Sequence, residues 1–184
     1  LMGSFGEIRL GRDLVPTFTS YADFDTFGAN GLGDISLLVN NGLGSGIDTM
    51  TRSDNMISYI APNIGGLVGQ ISVAAGEGAA GRKYIGGKLG YSAGPFAIVG
   101  GYSNTEVLDD DYKRMTLAGS WDFGAFKLNA LAVQNKYNGA VAAGGDVDNN
   151  LMFAGHAAYN FKKDPFYSNG FVPTVKQLVD RILT

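Results

Sequence analysis

The sequence predicts an all-β protein, an antiparallel sheet in chain order of the kind that crosses a membrane as an up-and-down β-barrel. Three observations predict it. Segments near the 9–11 residues of a tilted membrane strand alternate with period two. The connections between them are short and long by turns, and aromatic residues gather beside the short ones.

Strands are expected near 5–12, 52–61, 66–75, 82–92, 95–105, 112–121, 125–136 and 150–161. In the first, Ile8 and Leu10 lie opposite Glu7 and Arg9. In 52–61, Ile57 and Tyr59 oppose Arg52, Met56 and Ser58. In 82–92, Ile85, Leu89 and Tyr91 alternate with Tyr84, Gly86 and Lys88. In 112–121, Met115, Leu117 and Trp121 alternate with Arg114, Thr116 and Ser120. A soluble sandwich alternates too, so the connections decide more. Tight turns at Gly3-Ser4, Pro62 to Gly65, Ser92 to Gly94 and Asp122 to Gly124 take turns with loops at Asp13 to Thr51, Gly76 to Gly81, Glu106 to Asp111 and Tyr137 to Asn149. Short turns on one side of a membrane and long loops on the other give an up-and-down barrel this rhythm. A Greek-key sandwich has no reason to produce it.

Tyr59, Tyr91, Trp121, Tyr159 and Phe161 end strands beside short turns, and Phe96 and Phe126 begin the strands that follow them. A ring with a polar edge is favoured at the headgroup level. After Phe161 the alternation stops. Val172, Val175, Leu178, Val179, Ile182 and Leu183 then follow helical spacing behind Pro173, so an amphipathic helix is expected over 174–183 within a non-barrel tail, 162–184.

Composition narrows the function. The 184 residues include 28 Gly, 9 Tyr, 11 Phe and no Cys, which excludes disulfides and Cys-based metal sites and fits the cell envelope. A net charge of −3 gives no global basic field for nucleic acid, so no nucleic-acid partner is expected. No apolar run reaches a membrane helix, which says nothing against a barrel. The start at Leu1, without signal peptide or initiator Met, reads as that of a fragment.

GSFGEIRLGRDLVP at 3–16 and the run from Arg52 to Phe96 resemble the trimeric general porins of beta-proteobacteria and their neisserial relatives, as does the spacing between the two. The residues that carry the likeness are Leu10-Gly11-Arg12, then a long loop, then Arg52, Asn55, Tyr59 and Pro62; it extends over 1–161. The resemblance implies a sixteen-stranded barrel of which about eight strands are present, with the third loop, 13–51, folded into the lumen as a constriction. It implies an outer-membrane diffusion channel for small hydrophilic solutes and ions, a homotrimer embedded in outer-membrane lipid, with no cofactor and no catalysis. The loop is long enough that function is its usual explanation.

Lumen-facing parity places Arg9, Arg52, Arg82, Lys88, Arg114 and Lys127 inside, with Glu7 and Asp122 as the acids of that parity. Arg12 has the other parity but follows Gly11, where the strand can bend, and is included. The loop supplies Asp23, Asp25, Asp34 and Asp48, which are expected to face Arg9 and Arg52 across the narrowest point. A charge facing lipid mid-membrane costs about 2–4 kcal/mol, so these side chains should meet water. Basic rings select anions, and this wall predicts anion preference.

Other constellations fail. Gly76-Glu-Gly78-Ala-Ala-Gly81 matches a dinucleotide fingerprint without the helix that must follow it. His156 has no nucleophile and acid to complete a triad. Asp146-x-Asp148-x-Asn150 lacks the glycine and distal Glu of a calcium loop, and Asp109 to Asp111 read as a solvated tip. A soluble or surface-exposed β-sandwich binding module stays open as the alternative, and a barrel enzyme as a third reading without a catalytic constellation.

Overall fold

A computed structural model describes residues 1–31, 34–40, 47–76, 83–107, 111–137 and 150–159. Among them, nine strands form one antiparallel sheet in strict chain order: β1 Met2–Gly3, β2 Gly6–Leu14, β3 Arg52–Ile60, β4 Leu67–Ala74, β5 Lys83–Ala93, β6 Phe96–Glu106, β7 Asp111–Asp122, β8 Phe126–Lys136 and β9 Asn150–Tyr159. The sheet is unclosed. β2 to β9 are the eight expected strands, β2 starting one residue and ending two residues later than expected, while β1 is a two-residue addition paired across the Ser4-Phe5 turn. The Pro62 turn joins β3 to β4 as expected, with Ile57 opposite Val73 and Tyr59 opposite Ile71.

The two faces differ in chemistry because side chains alternate across a strand. On one face Leu10, Ile57, Ile71, Ile85, Leu89, Met115, Leu117 and Phe153 stand exposed. No second sheet covers them among the described residues. At the short-turn end of this face Phe96 meets Trp121 edge-on at 5.7 Å, and Phe123 stacks on Phe126 at 4.7 Å. Tyr59 donates from its hydroxyl to the Phe5 carbonyl at 2.7 Å. An apolar band bounded by aromatics is what a bilayer selects on a strand wall. The side chains of Tyr159 and Phe161 lie outside the described residues, as does the tail from 160 onward.

The opposite, inner face carries polar and small residues in register. Arg9, Ser58, Ser72, Gly86, Ser103, Arg114 and Asn135 form one continuous row from β2 to β8. Over this face folds the long connection between β2 and β3. Its neck is closed where the Val15 amide donates to the Thr51 carbonyl at 3.0 Å. Within it lie α1, Pro16–Ala22, α2, Ile35–Val39, and a 3-10 turn at Asp48–Met50. The sequence reading treated this stretch as loop throughout. Pro16 pre-sets the first helical φ of α1, but no side chain caps its start. Helices this short do not persist alone in water, so packing against the wall holds them. Tyr21, Phe24, Ile35 and Val39 bury against Val99, Ala118, Leu131 and Val133 of the inner face, and Val15 joins Met56, Ala74 and Tyr84.

Candidate functional site

The inner face and the connection folded over it make the site. Its seat is built from hydroxyl pairs. Thr17 and Ser103 share a hydrogen bond at 3.2 Å, Ser20 and Thr116 one at 2.5 Å, and Thr49 and Thr105 one at 2.6 Å. Lys88 on β5 donates to Thr19 Oγ1 at 2.8 Å and reaches Asp23 Oδ2 at 3.3 Å, so a wall cation holds the end of α1.

Arg9 lies on the inner parity with its side chain 47% exposed. Its guanidinium grips Glu7 with two bonds, 2.8 and 3.1 Å, and reaches Asp13 Oδ2 at 3.3 Å. The acids that meet it come from its own strand, not from the Asp23, Asp25 and Asp34 expected opposite. Of those three, Asp23 pairs with Lys88, as above. Asp25 is 8% exposed and accepts the amides of Phe27, Ala29 and Ile35 at 2.9, 3.1 and 3.1 Å, which makes it a knot within the connection. Asp34 accepts the Ser36 amide at 2.8 Å and caps α2.

Arg52 and Arg12 do not join the inner row. Between the pairs Gly11–Met56 and Asp13–Ser53, the two residues Asp54 and Asn55 of β3 oppose the single residue Arg12. This is a β-bulge, with Asn55 in the left-handed region at φ 51°. The extra residue reverses parity. Ser53 turns inward and is buried, whereas Arg52 lies exposed beside Leu14 on the other side. Arg12 keeps the outer parity and pairs its Nε with Asp54 Oδ1 at 3.4 Å. Strict alternation from Met56 back to Arg52 had placed it inside, and no two-residue motif announced the bulge.

Arg114 is inner-facing as expected, but it is no open charge, being 1% exposed. Its Nε donates to Asn135 Oδ1 at 2.8 Å, its Nη1 to the Met50 carbonyl at 3.0 Å and its Nη2 to Asn40 Oδ1 at 2.7 Å. Asn135 and Asn40 were missed by the sequence reading. Lys127 sits opposite Asp122 and Ala158 at the short-turn end of the inner face. Arg82, the stretch 77–82 and the side chains of Asp48 and His156 lie outside the described residues.

A sheet apolar on its outer face and polar within, with a long connection folded across the polar side, is a segment of a membrane-spanning barrel wall. The chain belongs to the Gram-negative porin family, whose model matches residues 1–173. It is 37% identical over 169 residues to outer membrane porin protein 32 of Delftia acidovorans, a match covering 86% of this chain and 48% of that relative. Among solved structures it resembles the anion-selective porin from Comamonas acidovorans, with 38% identity and a TM-score of 0.69 over 83% of this chain and 49% of the other. The fold alone is shared with OmpT of Vibrio cholerae, at 14% identity and a TM-score of 0.54 over 75% of this chain and 47% of that one. The chain thus spans about half the length of the relatives it matches. Its place is the Gram-negative outer membrane, and its family is one of channels rather than enzymes.

Proposed function

We propose that the chain supplies part of the wall and the constriction of a water-filled diffusion channel for small hydrophilic solutes and ions, with a preference for anions. The observation that carries this reading is the pairing of an exposed apolar outer face with an inner row of polar residues under a folded connection. The outer face matches lipid, the inner face matches water, and the connection folded over the inner face narrows the lumen. Arg9, half-exposed on the inner face although paired with Glu7 and Asp13, is the cation offered to the lumen, and a 38% identical porin is described as anion-selective. The working protein is a homotrimer in outer-membrane lipid, and it transports by diffusion, with no catalytic step.

The test is reconstitution of the protein as its gene encodes it into planar bilayers. Stepwise conductance should appear, with a reversal potential in a salt gradient that reports chloride as the more permeant ion. Insertion without conductance would overturn the channel reading, and a cation-selective potential would overturn the anion preference alone.

A further inference from the structure

Each of the three nitrogens of the Arg114 guanidinium donates a hydrogen bond. Nε holds Asn135 of β8, Nη1 holds the carbonyl of Met50, and Nη2 holds Asn40. The ring of Tyr21, from α1, lies 6.0 Å from its central carbon and that of Tyr112 5.5 Å. One side chain of β7 therefore meets α1, the residue that follows α2, and the 3-10 turn together. Asn135, itself 0% exposed, accepts from Arg114 and from the Tyr112 hydroxyl at 2.7 Å, and donates to the Val39 carbonyl at 2.8 Å.

Among the described residues every hydrogen-bond acceptor of Arg114 is neutral. Burial pushes the Tyr21 hydroxyl up to about 12, partly countered by Arg114, so no phenolate compensates the charge at a working pH. A buried cation is costly to leave unsatisfied, and here three charge-assisted hydrogen bonds and two ring faces replace its water. An anion passing through the lumen could reach this guanidinium only by displacing the connection that covers it. Arginine suits the position because its planar fork addresses three acceptors in fixed directions, which an ammonium on a single stem cannot do.

We propose that Arg114, acting with Asn135, is a latch that fixes the position of the 15–51 connection over the inner face, rather than a charge that meets permeating ions. Arg114 is then a positioning residue, and it sets the width of the passage through the connection it holds. The consequence for permeation rests on the channel reading above; the seating of the connection does not.

The test compares Arg114→Lys, Asn135→Ala and Asn40→Ala with the parent protein. Hydrogen–deuterium exchange in detergent is read over 34–51, with β6 to β8 as internal reference and heat-modifiable gel mobility as proof of an intact barrel. Loss of hydrogen bonds to a charged group should speed exchange over 34–51 by about tenfold or more in the first two variants. The reference strands should not change. Asn40→Ala leaves the wall untouched and should give a smaller acceleration, which keeps the test decisive if a wall variant fails to fold. In bilayers, Arg114→Lys and Asn135→Ala should alter single-channel conductance and noise alike, although only one of them touches a charged residue. Unchanged exchange in Asn40→Ala and in whichever wall variants fold would overturn the latch. So would a reversal potential that shifts in Arg114→Gln while Asn135→Ala is silent. A parent protein that does not conduct would sink the channel reading and leave the exchange experiment to decide the latch.

Discussion

Ser20 of α1 and Thr116 of β7 meet hydroxyl to hydroxyl at 2.5 Å, and they do so directly above Gly101 of β6. A Cβ on Gly101 would stand 2.6 Å from Thr116 Oγ1 and 3.2 Å from Ser20 Oγ. The absence of a side chain at one wall position thus lets a helix of the long connection lie flat on the sheet. Gly101→Ala should force α1 or Thr116 to shift, at about 1–3 kcal/mol, the usual cost of overpacking. Urea unfolding of the refolded protein would measure it. Parental stability would mean that α1 does not rest on Gly101.

Arg9 and Arg52 should part company in selectivity. Arg9 is half-exposed on the inner face and shares its charge with Glu7 and Asp13. Arg9→Gln should lower the chloride-to-potassium permeability ratio, most at low ionic strength, where screening is weakest. Glu7→Gln should raise the ratio, because it frees the guanidinium from its two-bonded partner. Arg52→Gln should leave the ratio unchanged, since the bulge turns that side chain to the outer parity. Reversal potentials in a salt gradient give all three answers, and a shift in Arg52→Gln as large as that in Arg9→Gln would contradict the assigned geometry.

Leu117 lies midway along β7 on the apolar face, flanked in register by Gly100 and Ala132. If that face meets hydrocarbon, Leu117→Arg should cost about 2–4 kcal/mol of folding free energy in lipid, the range for a midplane charge on a barrel wall. Trp121→Arg, at the aromatic end of the same strand, should cost clearly less. Equilibrium unfolding from vesicles would check both. Equal costs would mean that the aromatic cluster does not mark the membrane boundary.

Most of the sheet was legible because strand periodicity and turn chemistry are local. Ile8 opposite Arg9, or Trp121 beside the Gly124 turn, needs no distant partner to be understood. The inner surface was less legible. Val99, Leu131 and Val133 are apolar on the parity meant for water, which was a sign that something covers them. The covering pieces, α1 and α2, are too short to announce themselves by propensity. Asp25 looked like a free acid because its amide partners, Phe27, Ala29 and Ile35, are brought to it by the folding of the connection, which sequence does not spell out. Arg114 was placed on the correct face. Its burial depends on Met50 and Asn40, 64 and 74 residues earlier in the chain, and no local pattern carries that.

The bulge in β3 offers the sharpest check on register. Asn55 holds a left-handed φ of 51°, which costs most residues about 1–2 kcal/mol and which Asn and Gly tolerate. Asn55→Gly should therefore be nearly neutral, whereas Asn55→Val should lose about that amount, as urea unfolding would record. Deleting Asn55 should remove the bulge without moving the pairs on either side of it. With the extra residue gone, Asp54 alone faces Arg12, Ser53 stays opposite Asp13 and Arg52 opposite Leu14, so Arg52 should keep to the outer face. The chain has no cysteine, so Arg52→Cys gives a unique thiol whose side of the wall can be probed in a bilayer. A bulky, charged, membrane-impermeant thiol reagent should leave the conductance of Arg52→Cys unchanged, both with Asn55 in place and with it deleted. Reduction in Arg52→Cys with Asn55 in place would put residue 52 on the inner face and remove the bulge as the reason Arg52 stands apart from Arg9.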